Sequence, residues 1–234
     1  MNRVRLQAKL LRLFGAIAVL LMCSPLIAAD ISGQIKLSSG GKALRSVEAV
    51  DGVVYFRPRT PVAPVAPVAP ELPFVLSTER KSFTPRVLPI PAGSTVVFPN
   101  NDPILHNAFS TSTGNTFDVG LYGQGDQGEP VRFVNPGLVR VYCNVHHNMV
   151  AHIVVLDTPF FAVPDEQGRF RISNVPEGPG ELLLWHERST LWRKPVLVDG
   201  DVQQEISLEL NRRRVPQHLN KFGKPYRRSR EDGY

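Results

Sequence analysis

Residues 142–152, YCNVHHNMVAH, place one cysteine, three histidines and one methionine in eleven positions. Cys143, His146 and Met149 fall at three-residue intervals, C-x-x-H-x-x-M. A thiolate, an imidazole and a thioether turned toward one centre suit a soft or borderline ion, and His2Cys with a weak axial Met is the donor set of blue-copper electron-transfer sites. Such a set needs one more histidine from elsewhere. His106 in FPNNDPILHNAFS is the candidate, because it follows an Asn-Asn-Asp-Pro turn and opens an apolar strand. Asn107, beside it, is suited to pin the ligand loops through side-chain hydrogen bonds. His146 and His147 compete for the same role, and the C-x-x-H spacing favours His146. His147 is then an exposed loop residue, a substitute ligand or an edge through which electrons pass. His152 and His186 read as strand residues, and His218, in the tail, needs no role.

These donors depend on strands to position them. LVRVYC ends one strand and AHIVVLD begins the next, so Cys143 to Met149 form the loop between them. Other short β-rich runs are ISGQIKL (31–37), GVVYFRP (52–58), SFTPRVLPI (82–90), STVVFPN (94–100), HNAFS (106–110) and PVRFVN (130–135). Gly114 to Glu129 is glycine-rich and polar, which predicts a long loop. DEQGRFRISNV (165–175) and PEGPGELLLWHE (176–187) open a second set, and KPVLVDGD with QQEISLEL (203–210) predicts a hairpin bending at Asp199-Gly200. Many short strands at near-regular spacing predict an all-β fold of antiparallel sandwiches.

The chain opens with four basic residues and no acid, then an apolar run from Leu13 to Met22 and small residues at Ala28 and Ala29. Those are the parts of a secretory leader over residues 1–29, and they predict a periplasmic protein. Cys23 leaves with that leader, so Cys143 remains as a lone thiol in an oxidising compartment, where a metal would occupy it. The formal net charge of +6 falls to +2 without the leader. The tail, 211–234, itself contributes +6, so the body carries about −4. The high pI therefore gives no argument for a nucleic-acid-binding face. The expected organisation is a leader (1–29), a metal-bearing domain (30–157) with a proline-repeat loop at 61–70, a smaller β-sandwich (158–210), and a disordered or loosely docked basic tail (211–234). Weak contact of that tail with a membrane surface or an acidic partner is a further expectation.

FPNNDPILHNAF together with CNVHHNM resembles the cupredoxin family, and C-x-x-H-x-x-M has the spacing of amicyanin. From about residue 30 to 210 the chain is similar to exported proteins of the methylamine-utilization family. Those join a plastocyanin/azurin-like domain to a carboxypeptidase-regulatory-like β-sandwich, the latter matched by G-R-F-R-I-x-N-V-P-x-G. The resemblance implies a cupredoxin-like Greek-key sandwich, and His106, Cys143, His146 and Met149 as ligands of one type 1 copper. It also implies a c-type cytochrome or quinoprotein dehydrogenase as redox partner. Zinc is the weaker expectation, because structural zinc takes four strong ligands and thioether is a poor one. Six histidines are too few for the further clusters of a multicopper oxidase. No Ser-His-Asp set or paired-carboxylate motif stands out, so an electron carrier is expected rather than an enzyme. Two other readings remain. One is a copper carrier or store with an exchange-prone site. The other is an envelope scaffold using the second sandwich, with Trp185 and Trp192 as its only platform.

Overall fold

The structure, a computed structural model, describes residues 28–60, 72–211 and 218–226. The proline repeat and nearly all of the leader lie outside the described residues. In chain order the strands are β1 (Ala28–Ser39), β2 (Lys42–Ala43), β3 (Gly52–Pro58), β4 (Phe74–Val75), β5 (Ser77–Glu79) and β6 (Ser82–Thr84). There follow β7 (Val87–Pro91), β8 (Ser94–Val97), β9 (His106–Ser110), β10 (Phe117–Tyr122), β11 (Val131–Phe133) and β12 (Gly137–Tyr142). The last six are β13 (Val150–Leu156), β14 (Phe161–Ala162), β15 (Arg169–Pro176), β16 (Gly178–His186), β17 (Trp192–Val198) and β18 (Val202–Glu209). A 3-10 helix, Ser46–Asp51, lies between β2 and β3.

The all-β expectation holds. A five-stranded sheet, β10-β9-β12-β13-β7, and a three-stranded sheet, β11-β8-β4, belong to the part that carries His106 and Cys143, with β5 and β6 as a separate hairpin. Phe98, Phe133, Val139, Val141, Ala151 and Ile153 fill the core of this part together with Cys143 and Met149. The second sandwich packs β15-β1-β18 against β14-β3-β16-β17.

Strand pairing divides the chain differently from the expected boundary at residues 157/158. β1 pairs with β15 and β18, and β3 pairs with β14 and β16. The physical reason is burial of alternate residues: Ile31, Ile35 and Leu37 of β1 enter one core with Ile172, Ile206 and Leu208. The N-terminal strands therefore complete the second sandwich, and residues 74–156 lie between its halves. The sheets are also not purely antiparallel, since β1–β18, β4–β8 and β7–β13 run parallel.

Two further expectations are corrected. β17 and β18 do not form a hairpin; β17 pairs with β16 and β18 with β1, so Asp199-Gly200 carries the chain between sheets. Nor is 114–129 all loop, because β10 runs through it. Phe117 stacks on Phe98 at 5.3 Å and meets Phe133 edge-on at 5.6 Å, which anchors this polar stretch. Its register shifts between Asp118 and Leu121, where Gly120 takes φ +76°.

β13 explains how the two parts hold together. All seven of its residues are buried. Ala151, Ile153 and Val155 face the core that contains Cys143 and Met149, while Val154 and Leu156 pack with Val53, Tyr55 and Leu183 of the second sandwich. A strand covered on both faces needs a near-continuous apolar run, and VAHIVVL supplies one.

Candidate metal centre

β9 presents His106 at its first residue, and the loop joining β12 to β13 carries Cys143, His146 and Met149. Because β9 and β12 are neighbours in one sheet, these segments end side by side. Cys143 Sγ lies 3.9 Å from His106 Nδ1 and 3.7 Å from His146 Nδ1. Among the described residues His106, Cys143 and His146 form one convergent group, with ligand atoms all within 4.8 Å of one another. Met149 is buried in the same core as Cys143, and its backbone ties the loop, with Cys143 N–H donating to Met149 O and Met149 N–H to His146 O. His147 and His152 are not in the group. His152 instead faces Trp185 of the second sandwich, 5.2 Å between ring centroids.

These spacings fit a bound ion. An ion about 2.3 Å from a thiolate and about 2.0 Å from each imidazole sets sulfur–nitrogen separations of roughly 3.7–3.9 Å when the donors spread in a near-trigonal plane. The donor set therefore suits copper held by thiolate and two imidazoles, with a thioether at hand.

The surroundings of each donor are specific. His106 is fully buried and its Nε2 lies 2.8 Å from Asp102 Oδ2. A carboxylate at Nε2 holds the proton there and leaves the Nδ1 lone pair toward the sulfur. Asp102 also accepts the backbone N–H groups of Arg80 and Lys81, at 2.6 and 2.8 Å. Those two residues form the β5–β6 turn with φ of 53° and 56°, a left-handed geometry unfavourable for side-chain-bearing residues, so Asp102 steadies the turn as well. Burial alone would raise the Asp102 carboxyl; hydrogen bonds from Lys81, Arg80 and His106 outweigh it and hold the group below the usual carboxylate range. Asn100 fixes the intervening loop, accepting from Thr78 Oγ1 and Asp102 N–H and donating to Ile104 O and Tyr122 O.

At Cys143, burial pushes the thiol up, opposed by the backbone N–H groups of Val145, Asn107 and His146 at the sulfur. Asn107 follows His106 on β9. Its side chain does not reach the Cys143 loop as expected but donates to Asp118 Oδ1 and Gly120 O on β10.

The described segment of the tail lies against the ligand loop. His218 stacks on Tyr142 with ring centroids 4.0 Å apart. Lys221 N–H donates to Asn144 Oδ1 and its Nζ pairs with Asp118 at 2.7 Å, while Tyr226 Oη donates to Cys143 O at 2.9 Å. Sequence reasoning missed Asp102, Asn100, Lys221 and Tyr226. An acid four residues before a candidate histidine was a usable signal for Asp102; none existed for the tail.

No protein-family model matches the chain, and no curated protein matches it. Among solved structures the chain is similar to a reduced mutant of amicyanin, at 17% identity over 36% of this chain and 82% of that one, with a TM-score of 0.34. It is similar to the Cu-containing nitrite reductase of Thermus scotoductus SA-01, at 28% identity over 37% of this chain and 23% of that one, TM-score 0.35. A purple cupredoxin from Nitrosopumilus maritimus matches at 24% identity over 36% of this chain and 99% of that one, TM-score 0.32. Cupredoxins thus stand among the structural neighbours of about a third of the chain, beside a copper enzyme.

Proposed function

We propose that the chain is an exported type 1 copper protein that exchanges single electrons with a periplasmic redox partner and catalyses no reaction of its own. The observation that carries this reading is Cys143 Sγ at 3.9 and 3.7 Å from the Nδ1 atoms of His106 and His146. His106, Cys143 and His146 would hold the copper, with Met149 as the weak fourth donor. When bound, the copper supplies one-electron redox chemistry.

The protein's own residues do the rest. Asp102 keeps the His106 proton on Nε2. Burial pushes the Cys143 thiol up, so its thiolate depends on the cation that it would share with the two imidazoles. His106 and Cys143 are 0% exposed, which excludes water and limits rearrangement of the donors. Burial of this degree argues against an exchange-prone copper carrier. His146 is only partly buried. Exposed Leu105 and Val145 adjoin His106 and His146 in sequence, exposed Leu121 pairs in register with Asn107, and together they offer an apolar landing for a partner. A c-type cytochrome or a quinoprotein dehydrogenase is the partner class, and the second sandwich is the structural companion of the copper part.

Reduced copper-loaded chain should pass one electron per copper to a c-type cytochrome, followed by stopped-flow absorbance. A copper complex that cannot be cycled between two oxidation states contradicts the reading.

A further inference from the structure

The described tail segment cross-links the two stretches of chain that carry the donors. Asp118 is the junction: its Oδ1 accepts from Asn107 Nδ2 at 2.8 Å, and its Oδ2 pairs with Lys221 Nζ at 2.7 Å. Asn107 is bonded in sequence to His106. From Lys221 the connection continues through its backbone N–H to Asn144 Oδ1 at 3.1 Å, and Asn144 follows Cys143. The two donor-bearing stretches meet at the sulfur, with Cys143 Sγ 3.9 Å from His106 Nδ1. A few residues further on, Tyr226 Oη donates to the Cys143 carbonyl at 2.9 Å. His218, at the start of the segment, lies flat on Tyr142, the residue before Cys143. Tyr142, Cys143 and Asn144 are therefore each held from outside by His218, Tyr226 and Lys221 in turn.

Within the ligand loop, Cys143 N–H is satisfied by Met149 O. The Cys143 carbonyl takes its hydrogen bond from the tail, so the loop's geometry at the sulfur-bearing residue is completed by a segment more than seventy residues away in sequence. Lys221 lies mostly covered, at 23% side-chain exposure, which sets it apart from a freely solvated tail cation.

We propose that Lys221 and Tyr226 are positioning residues of the metal centre, and that the segment 218–226 is a latch holding the Cys143 loop against the His106 strand. It acts on the thiol whether or not a metal is bound, and its effect on copper retention rests on the type 1 reading above. Opening the latch exposes the Cys143 side of the pocket without unfolding either sandwich. Copper then leaves faster and the thiol becomes reachable.

The test uses the full chain carrying Tyr226→Phe, Lys221→Ala, or both, with Lys224→Ala as a control on an exposed residue of the same segment. In metal-free protein, peptide-mapped labelling of Cys143 by a disulfide reagent should quicken severalfold in each single variant. The double variant should label on the order of tenfold faster, as expected from losing two hydrogen bonds. The midpoint of thermal unfolding should stay near that of the wild type, and Lys224→Ala should label at the wild-type rate. In copper-loaded protein the double variant should lose copper to a chelator faster by a similar factor and shift its thiolate-to-copper band. Tyr226→Phe keeps the ring, so an effect there reports the hydroxyl and not packing. Labelling within twofold of wild type in the double variant overturns the latch. A colourless wild-type copper complex with latch-dependent labelling keeps the latch and rejects the electron-transfer reading.

Discussion

Asp102 and His106, four residues apart, meet as carboxylate and imidazole at 2.8 Å, Oδ2 to Nε2. That contact decides which face of the ring is available to a metal. With the proton held at Nε2, Nδ1 is the free donor, and it is the atom 3.9 Å from the Cys143 sulfur. The same carboxylate receives the Arg80 and Lys81 N–H groups, so the β5–β6 turn, the 100–105 loop and the ligand share one anchor.

Replacing that anchor should weaken the metal more than the fold. Asp102→Asn is expected to lower copper affinity about tenfold to a hundredfold, the usual effect of losing a partner behind a histidine ligand. Competition against a chelator of known affinity measures it. Asp102→Ala also leaves the Arg80 and Lys81 N–H groups without their acceptor and should cost about 1–3 kcal/mol in urea unfolding. Unchanged affinity in Asp102→Asn would separate Asp102 from the site.

The two neighbouring histidines should behave oppositely. His146 Nδ1 lies 3.7 Å from the sulfur, whereas His147 lies outside the convergent group with its ring 6.1 Å from that of Tyr226. His146→Ala should abolish the visible copper band and His147→Ala should leave it in place. Absorbance of the copper-loaded variants is the check.

Burial pushes His152 down to about 3, helped by the positive charges of Arg86 and Arg140 and by His186. Glu187, 3.6 Å from Nδ1, is already engaged by Arg86 and does not reverse this. Above about pH 6.5 the imidazole is neutral both folded and unfolded, so it adds no pH dependence there. Between that value and about 3 the unfolded chain binds a proton that the native chain does not. Stability therefore drops as the pH is lowered through this window, by up to about 1.4 kcal/mol per unit from this group. Denaturation of metal-free protein from pH 7 to 4 should be flatter in His152→Leu than in wild type.

Arg86 holds Glu187 at 2.8 Å across the two sandwiches, and the Glu187 side chain is 1% exposed. Arg86→Met leaves that carboxylate buried without the guanidinium and should destabilise by about 3–5 kcal/mol. The double change Arg86→Met/Glu187→Met should restore much of the loss. A double-mutant cycle by chemical denaturation decides it.

The parts that could be read from sequence were local. β3 and β9 sit where GVVYFRP and HNAFS placed them, because each is a short apolar run closed by turn residues. The Cys143–Met149 loop was visible because its donors lie within seven positions of one another. What escaped depends on pairing between distant segments. β1 pairs from Ile31 to Ser38 with β18, about 170 residues on, and nothing within ISGQIKL specifies that partner. β10 hid in a glycine-rich stretch because Phe117 gains its anchor from Phe98 and Phe133, not from periodicity. The tail looked solvated by composition, yet Lys221 and Tyr226 find a carboxylate and a carbonyl that only the folded chain assembles.

The central claim is that Cys143, as a thiolate, shares one copper ion with His106 and His146, and the most direct test is the visible absorption spectrum of copper(II)-loaded protein beside Cys143→Ser and His106→Ala. The wild type should be intensely coloured through a thiolate-to-copper charge-transfer band, absent in Cys143→Ser and lost or strongly altered in His106→Ala. A colourless wild-type complex, or a band that survives Cys143→Ser, would contradict it.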